Sequence, residues 1–497
     1  MKELKYIETF GAIDADNDSV LLKAFEDHES YIDIKSFNKS VVIGRKGTGK
    51  TAIFKKILTL PISSNLTYGH TFSDYPWAYH DKVKNENMME CERYLHSWKY
   101  LILLTLSKII INQDASLPID DESLELMTKL ESFVIDSYGT KDPDLTQIFT
   151  PSKKLKLKPY LGISWQFVSA GITPESVSIS ELPLIFPEVN SNLIDYVFTI
   201  LNPENNYYIL FDQLDMGFDP KSEDYNNRII SLLLAARDLN VAAKEYGKNV
   251  NIVIFLRDDI YNNLHFEDKN KITRNYVTTI EWDTANTQKT LKRLMERRFS
   301  ILLSEDSEKV DWEDVFDESQ KMPGRQNKYQ HILDRTYLRP RDIIYFCNEI
   351  LKTYKREESQ EEKKFTNKNI HDSRLEYSTY FSDELDDEIH KHIPEYNDFF
   401  EIFRSIGCLQ FTKEEFTEQY SQVKKRKPQL PDPEYMLTQL YNFSIIGFYR
   451  AGGQGYGGSE YIYKYKYRRL EMDLTAESFR IHPGLMEFLG LKKYSKT

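Results

Sequence analysis

Eight consecutive residues could do the most definite chemistry in this chain: Gly44, Arg45, Lys46, Gly47, Thr48, Gly49, Lys50 and Thr51. They fit G-x-x-x-x-G-K-[ST] at every fixed position. Glycines at that spacing let successive backbone N–H groups turn inward and meet phosphate oxygens with no Cβ in the way. A following helix adds its positive dipole end. Lys50 would reach the β- and γ-phosphates of a nucleotide, and the Thr51 hydroxyl would ligate Mg2+. A carboxylate must complete such a metal site. The candidate is Asp212, which ends the apolar run Tyr207-Tyr208-Ile209-Leu210-Phe211. It would bind Mg2+ through the ion's waters, because that ion dehydrates reluctantly. Gln213 stands where a second acid would polarise the attacking water. It can orient a water without taking its proton. Asp215 is either the base or a structural acid. Slow turnover is the expectation.

Three arginines extend the list. Arg257 ends the run NIVIFL at 251–256, where a cation could reach the γ-phosphate and report its loss; an ion pair to Asp258 or Asp259 accounts for it equally. Arg339 and Arg341 lie in Thr336-Tyr337-Leu338-Arg339-Pro340-Arg341-Asp342, where a lid could fold an arginine over the phosphates. A helix cap or surface ion pair explains each as well. Arg297 and Arg298 are candidates to act in trans if the protein assembles with itself.

These residues need elements to hold them. Val41, Val42 and Ile43 predict a strand before the loop; Ile53, Phe54, Ile57 and Leu58 predict a helix after it. Residues 20–31 read as a helix of a lead segment that lies against the base or simply packs. A stretch at about 60–200 reads as an insertion, with helices at 92–111, 120–138 and 191–201. It also carries a basic run, Lys153, Lys154, Lys156 and Lys158, and an alternating strand pattern at 160–172. A helix is expected at 226–246, closed by Gly247, and one more strand at 277–282. Residues 286–355 read as a helical lid and 356–382 as a charged linker.

Residues 383–497 predict a small last domain: helices at 396–406 and 433–443, a capping box at Thr412-Lys413-Glu414-Glu415, then strands at 446–450 and 461–467 around a Gly-rich turn. Three helices and a hairpin make a winged-helix plan. Lys424, Lys425, Arg426, Lys427, Lys464, Lys466, Arg468 and Arg469 could meet nucleic acid. The helix at 433–443 carries no Arg or Lys, which favours a protein-contact module instead.

The bulk numbers exclude some classes. At 40% apolar residues the chain can bury a core, and at 497 residues it predicts several domains. A formal charge of -12 argues against a dedicated nucleic-acid coat or membrane-surface binder. Cys91, Cys347 and Cys408 make no metal spacing and suit a reducing cytoplasm. No run approaches the ~18 apolar residues of a membrane span.

Taken together, FGAIDADND (10–18), GRKGTGKTAIFK (44–55), ILFDQLD (209–215), FLRDDIYNNLHFEDKNKI (255–272), IEWD (280–283) and LRPRDIIYFCNEI (338–350) resemble a prokaryotic P-loop ATPase family allied to the STAND, KAP and AAA+ groups. The resemblance implies an α/β fold with a parallel ASCE-type sheet flanked by helices over residues 1–285. It implies ATP as ligand and a switch role in bacterial defence beside a separate effector protein; homo-oligomers would be natural for such a switch. A DNA-loading ATPase is the alternative, and a phosphoryl-transfer enzyme a third reading for which no acceptor signature is visible.

Overall fold

Val41, Val42 and Ile43 are β-branched and buried, so strand β1 (Val41–Gly44) sits inside a sheet rather than at its edge. Four parallel strands join it: β2 (Asn65–Thr71), β3 (Asn206–Asp212), β4 (Asn249–Arg257) and β5 (Val277–Thr279). Their order is β2-β3-β4-β1-β5. Strand β4 therefore separates the strand feeding the glycine loop from the strand ending in Asp212. Register sets Gly44 beside Arg257 and Thr71 beside Asp212. Gly44, Asp212 and Arg257 thus leave the carboxyl edge of the sheet, the edge where open parallel sheets bind ligands. This is the P-loop ATPase fold of the ASCE kind.

The structure is a computed structural model and describes residues 1–72, 75–116, 118, 120–149, 182–216, 218, 222–284, 287–305, 308–356, 363–390, 392–393, 396–452 and 458–493. The chain divides into two compact units. Residues 27–45 and 50–280 form the sheet unit; residues 1–26, 46–49 and 281–497 form the helical unit.

In the sheet unit, helix α1 (Glu29–Lys35) is capped by His28, whose ring nitrogen accepts from the Ser30 N–H. Residues 20–31 are not one helix. The chain passes between the units at Glu26, and α1 starts only after it. Helix α2 (Lys50–Leu58) follows the loop and packs its Phe54 edge-on against Phe255. Helices α3 (Leu95–Asn112), α4 (Asp121–Tyr138), α5 (Leu182–Ile200) and α6 (Glu223–Glu245) share one core with the sheet: Trp98, Phe133, Phe198 and Leu233 cluster with Ile209 and Phe211. Asp120 caps α4, and Gly247, with φ +66, closes the end of α6. Helix α5 begins well before residue 191 and carries Pro187 within it.

Strand β2 falls inside the stretch that the sequence presents as an insertion. Asn65, Thr67, Gly69 and His70 break its apolar pattern, which an edge strand tolerates. The lysine run at 153–158 and the strand expected at 160–172 lie outside the described residues.

Helix α7 (Asp258–Asn263) follows β4 in the sheet unit. In the helical unit, α8 (Leu291–Leu303) starts at the Thr290 cap. Helices α9 (Pro340–Arg356) and α10 (Asn367–Ile389) pair through stacked rings, Tyr345 on Tyr380 at 3.7 Å and Phe346 on Tyr377 at 4.1 Å between centroids. Residues 367–382, placed by sequence in a linker, are therefore helical, because spaced aromatic rings bury one face.

Next come α11 (Tyr396–Ile406), β6 (Gln410–Phe411), α12 (Lys413–Arg426) with its Thr412–Glu415 capping box, and α13 (Pro433–Asn442). Strands β7 (Ile446–Arg450), β8 (Glu460–Ile462) and β9 (Phe479–Ile481) complete an antiparallel sheet in the order β6-β9-β7-β8. Three helices precede the β7–β8 hairpin, β9 lies between β6 and β7, and β8 stops at Ile462, short of Tyr467. Of the Gly-rich turn expected from Gly452 to Gly458, residues 453–457 lie outside the described residues. Among those described, no helix is long and apolar enough to cross a membrane.

A Cβ built on Gly69 would lie 2.5 Å from the Phe54 ring, so this glycine sets how closely α2 approaches the sheet. Gly69→Ala is expected to lower stability by about 1–3 kcal/mol, read as a lower urea midpoint with an unchanged slope.

Candidate nucleotide site

The sheet unit brings together four of the sequence candidates. Lys50 opens α2, and its Nζ donates to the carbonyls of Gly44 at 2.8 Å and Arg45 at 2.9 Å. Burial pulls its pKa down, while Asp215, Asp212 and Asp258 pull it back up. Asp212 ends β3 and is only 2% exposed. Burial raises its pKa; a hydrogen bond from the Thr51 side chain, the Gln213 backbone and the charge of Lys50 act against that. Its Oδ2 is buried and has no hydrogen-bond partner. A buried carboxylate oxygen without a partner is costly and calls for a cation or its water. Gln213 follows with φ +61, in the left-handed region that glycine favours.

Arg257 ends β4 and makes a two-pronged pair with Asp259, Nε to Oδ1 at 3.0 Å and Nη2 to Oδ2 at 2.7 Å. Its Nη1 lies 3.4 Å from Asp215. Of the two acids offered by sequence, Asp259 is the one that takes the arginine's fork. Asp258 instead accepts the Asp259 N–H at 3.0 Å. Asp215 therefore stands beside a cation.

The helical unit holds the tip of the loop, Lys46–Gly49. Gly47 has φ +81 and Gly49 φ +108, conformations that need glycine. A Cβ on Gly47 would stand 3.0 Å from that of Arg341. The Trp282 indole donates to the Thr48 carbonyl at 3.0 Å, which gives the IEWD segment a task. Arg339 Nη1 donates to the Lys46 carbonyl at 3.1 Å, and the Arg341 N–H reaches the Gly47 carbonyl at 3.4 Å.

Arg339 is 1% exposed and surrounded by acids. Its Nε meets both oxygens of Asp342 at 3.0 Å, and its Nη1 pairs with Glu388. Arg341 donates to Glu384 at 2.9 Å and to the Ile13 carbonyl at 3.2 Å. The Lys46 ammonium pairs with Asp387 and lies 3.6 Å from Glu384. These carboxylates on α10 are the site-adjacent residues that sequence reading missed. Only Asp342, three residues after Arg339, gives a sequence signal, as an i,i+3 pair.

The two trans candidates are engaged within their own unit. Arg298 pairs with Asp18 at 2.6 Å and donates to the Phe10 carbonyl at 2.9 Å. Arg297 pairs with Glu26, which Lys289 also meets at 3.2 Å, and donates to the Phe25 carbonyl at 2.7 Å. In the last domain, Arg426 meets Glu401 at 2.7 Å, Lys427 meets Asp398 at 2.8 Å and Lys464 meets Glu471 at 3.1 Å.

Within the sheet unit the donor set fits Mg2+ beside a phosphate: the Thr51 hydroxyl and the orphaned Asp212 oxygen for the ion, the Lys50 ammonium for the phosphate.

Comparison with known proteins adds three findings. Residues 289–386 match the family described as the FunZ-associated C-terminal helical domain. The chain is 25% identical over 470 residues to the gamma-delta transposon 80.3 kDa protein of Escherichia coli K12, covering 88% of this chain. It spans about three fifths (61%) of that relative's length. Among solved structures, Cdc6p from Pyrobaculum aerophilum aligns at 11% identity and TM-score 0.29, over 95% of this chain and 96% of that one. The Drosophila ORC bound to DNA aligns at 13% identity and TM-score 0.23, over 78% of this chain and 90% of that one. Superpositions this loose decide nothing; the fold rests on the strand order.

Asp342 also accepts the Tyr337 N–H at 2.9 Å. Asp342→Ala removes one of the two acids around a buried guanidinium and is expected to cost about 3 kcal/mol, measured by urea unfolding.

Proposed function

We propose that this protein binds ATP with Mg2+ and hydrolyses it slowly, serving as a nucleotide-dependent switch. The observation that carries the proposal is the buried Asp212 carboxylate, joined to Thr51 and left with one unpartnered oxygen at the carboxyl edge of β3. Thr51 and Asp212 would hold Mg2+, which would supply charge neutralisation to the phosphates. Lys50, which donates to two loop carbonyls, is the donor available to phosphate. Gln213 orients the attacking water, and Asp215 tunes the site beside Arg257. Gln213, in the place directly after Asp212, cannot take the water's proton, so chemistry is slow.

Switching follows from what holds the loop tip. The carbonyls of Lys46 and Gly47 accept from Arg339 and Arg341. A phosphate that draws the tip's N–H groups toward itself changes those contacts, and with them the start of α9 and its pairs to α10. Differential contact with the two nucleotide states supplies the free energy.

The setting in bacterial defence and the separate effector belong to the family resemblance, and homo-oligomers would suit such a switch. A DNA-acting ATPase is the second reading. The transposon in the name of the Escherichia coli relative favours it; the acid partners of Arg426, Lys427 and Lys464 weigh against it.

Lys50→Ala is expected to abolish ATP binding in equilibrium titration with a fluorescent ATP analogue; unchanged affinity would overturn the loop assignment. Asp212→Ala and Gln213→Ala are expected to lower phosphate release at least about tenfold, a barrier increase of about 1.4 kcal/mol, with a smaller change in ATP affinity. Phosphate release that rises on adding DNA and falls steeply with salt would move the conclusion to the second reading.

A further inference from the structure

Within the helical unit, away from the loop tip's contacts, a second set of cations converges on buried polar atoms that have no partner. His331 lies on the short helix Lys328–Leu333 and is 5% exposed, yet neither ring nitrogen makes a hydrogen bond. Arg335 is 7% exposed, and its Nε is likewise unpartnered. The bonds that Arg335 does make are long: Nη1 to the His331 carbonyl at 3.3 Å, Nη2 to Glu487 Oε1 at 3.4 Å. Arg374, on α10, reaches the same Glu487 oxygen at 3.4 Å and the His371 carbonyl at 3.3 Å. The other oxygen, Glu487 Oε2, is buried and unpartnered.

This is a framework rather than a loose surface group. The Tyr377 hydroxyl donates to the Arg335 carbonyl at 3.1 Å, and Gly484 packs so closely that a Cβ would lie 2.6 Å from that oxygen. Burial first, then the charges of Arg335, Arg374, Lys493 and His371, pull the His331 ring down to about 3. A neutral ring among cations, with donors and one acceptor left open, is a set of groups missing an anion.

The acceptor narrows the class of that anion. Two arginines and an imidazole N–H offer donors to oxyanion oxygens. Glu487 Oε2 needs a donor in return. Sulfate carries no proton near neutral pH, and neither does a phosphodiester. Inorganic phosphate keeps one near neutral pH, and a phosphomonoester keeps one in its monoanion, which a second pKa of about 6 leaves within reach.

We propose that His331, Arg335, Arg374 and Glu487 form a second anion site, separate from the glycine loop, for a protonated oxyanion of the phosphate class. Its occupant is free hydrogen phosphate or the end of a phosphomonoester.

Calorimetry on the full chain tests this with inorganic phosphate, sulfate and phenyl phosphate. Because the glycine loop also takes anions, each titration is repeated in Lys50→Ala. Phosphate is expected to bind saturably in both proteins, with sulfate at least about tenfold weaker, since a site built to accept a proton rejects the ligand lacking it. Arg335→Met should remove the binding, and Glu487→Gln, which offers an N–H instead, should bring sulfate up to phosphate. Phenyl phosphate binding like phosphate marks a monoester end; its exclusion marks a closed site for the free ion. Should Arg335→Met not fold, histidine-labelled wild type serves: the His331 resonance shifts with phosphate and not with sulfate. No saturable uptake, equal uptake of sulfate, or uptake lost in Lys50→Ala but kept in Arg335→Met would overturn the proposal.

Discussion

A carboxylate buried to 2% exposure with one oxygen unpaired is an expensive object, and much of the sheet unit is arranged so that Asp212 can be one. Desolvating an ionised carboxylate favours its neutral form, and the raised pKa records that. The counterweights are local and few: the Thr51 hydroxyl, the backbone that follows the strand, and the charge of Lys50. They arrive together only because β4 sets the spacing between β1 and β3. Tyr207, Tyr208, Ile209, Leu210 and Phe211 are all fully buried, so the strand that delivers Asp212 has little freedom to slide. A slip of one residue would turn the acid to the other face.

The helical unit solves a different electrostatic problem. Arg339 is nearly without solvent contact, which is tolerable only because Asp342 and Glu388 satisfy its charge and its fork. The guanidinium retains a donor for the Lys46 carbonyl. A buried ion pair adds little net stability, but it fixes direction, and here the direction is toward a loop carbonyl. Lys46 and Arg341 meet acids of α10 in the same way. The start of α9 therefore holds the loop tip by backbone acceptors. Arginines so committed are positioned by their acids, unlike an exposed finger awaiting phosphate.

Reading of the chain succeeded where the physics is local. The Gly44–Thr51 spacing, the Asp120 and Thr412 caps and the end of α6 at Gly247 each depend on neighbours within a few residues. Buried strands such as β3 and β4 are apolar throughout and announce themselves. Strand β2 did not, because an edge strand with Thr67 and His70 looks like a loop. Residues 367–382 looked like linker because the charged stretch before them masks the spacing of Tyr377, Tyr380 and Phe381. Residues 20–31 looked helical because Leu21, Leu22 and Phe25 have helical spacing; a buried Glu26 held by Lys289 and by Arg293 and Arg297 of α8 overrides it.

By itself, then, the sequence determined that a glycine loop follows a strand and precedes a helix, and that an acid ends a second strand. Those are statements about φ angles, alternation and capping, which neighbouring residues decide. Only the tertiary structure decided that one strand lies between the two, that Asp259 takes Arg257, that Asp342 and Glu388 take Arg339, and that Arg297 and Arg298 are used up inside the chain. Charge pairing acts through space across tens or hundreds of residues, and no spacing rule along the chain says which of 77 acids will meet which of 65 bases.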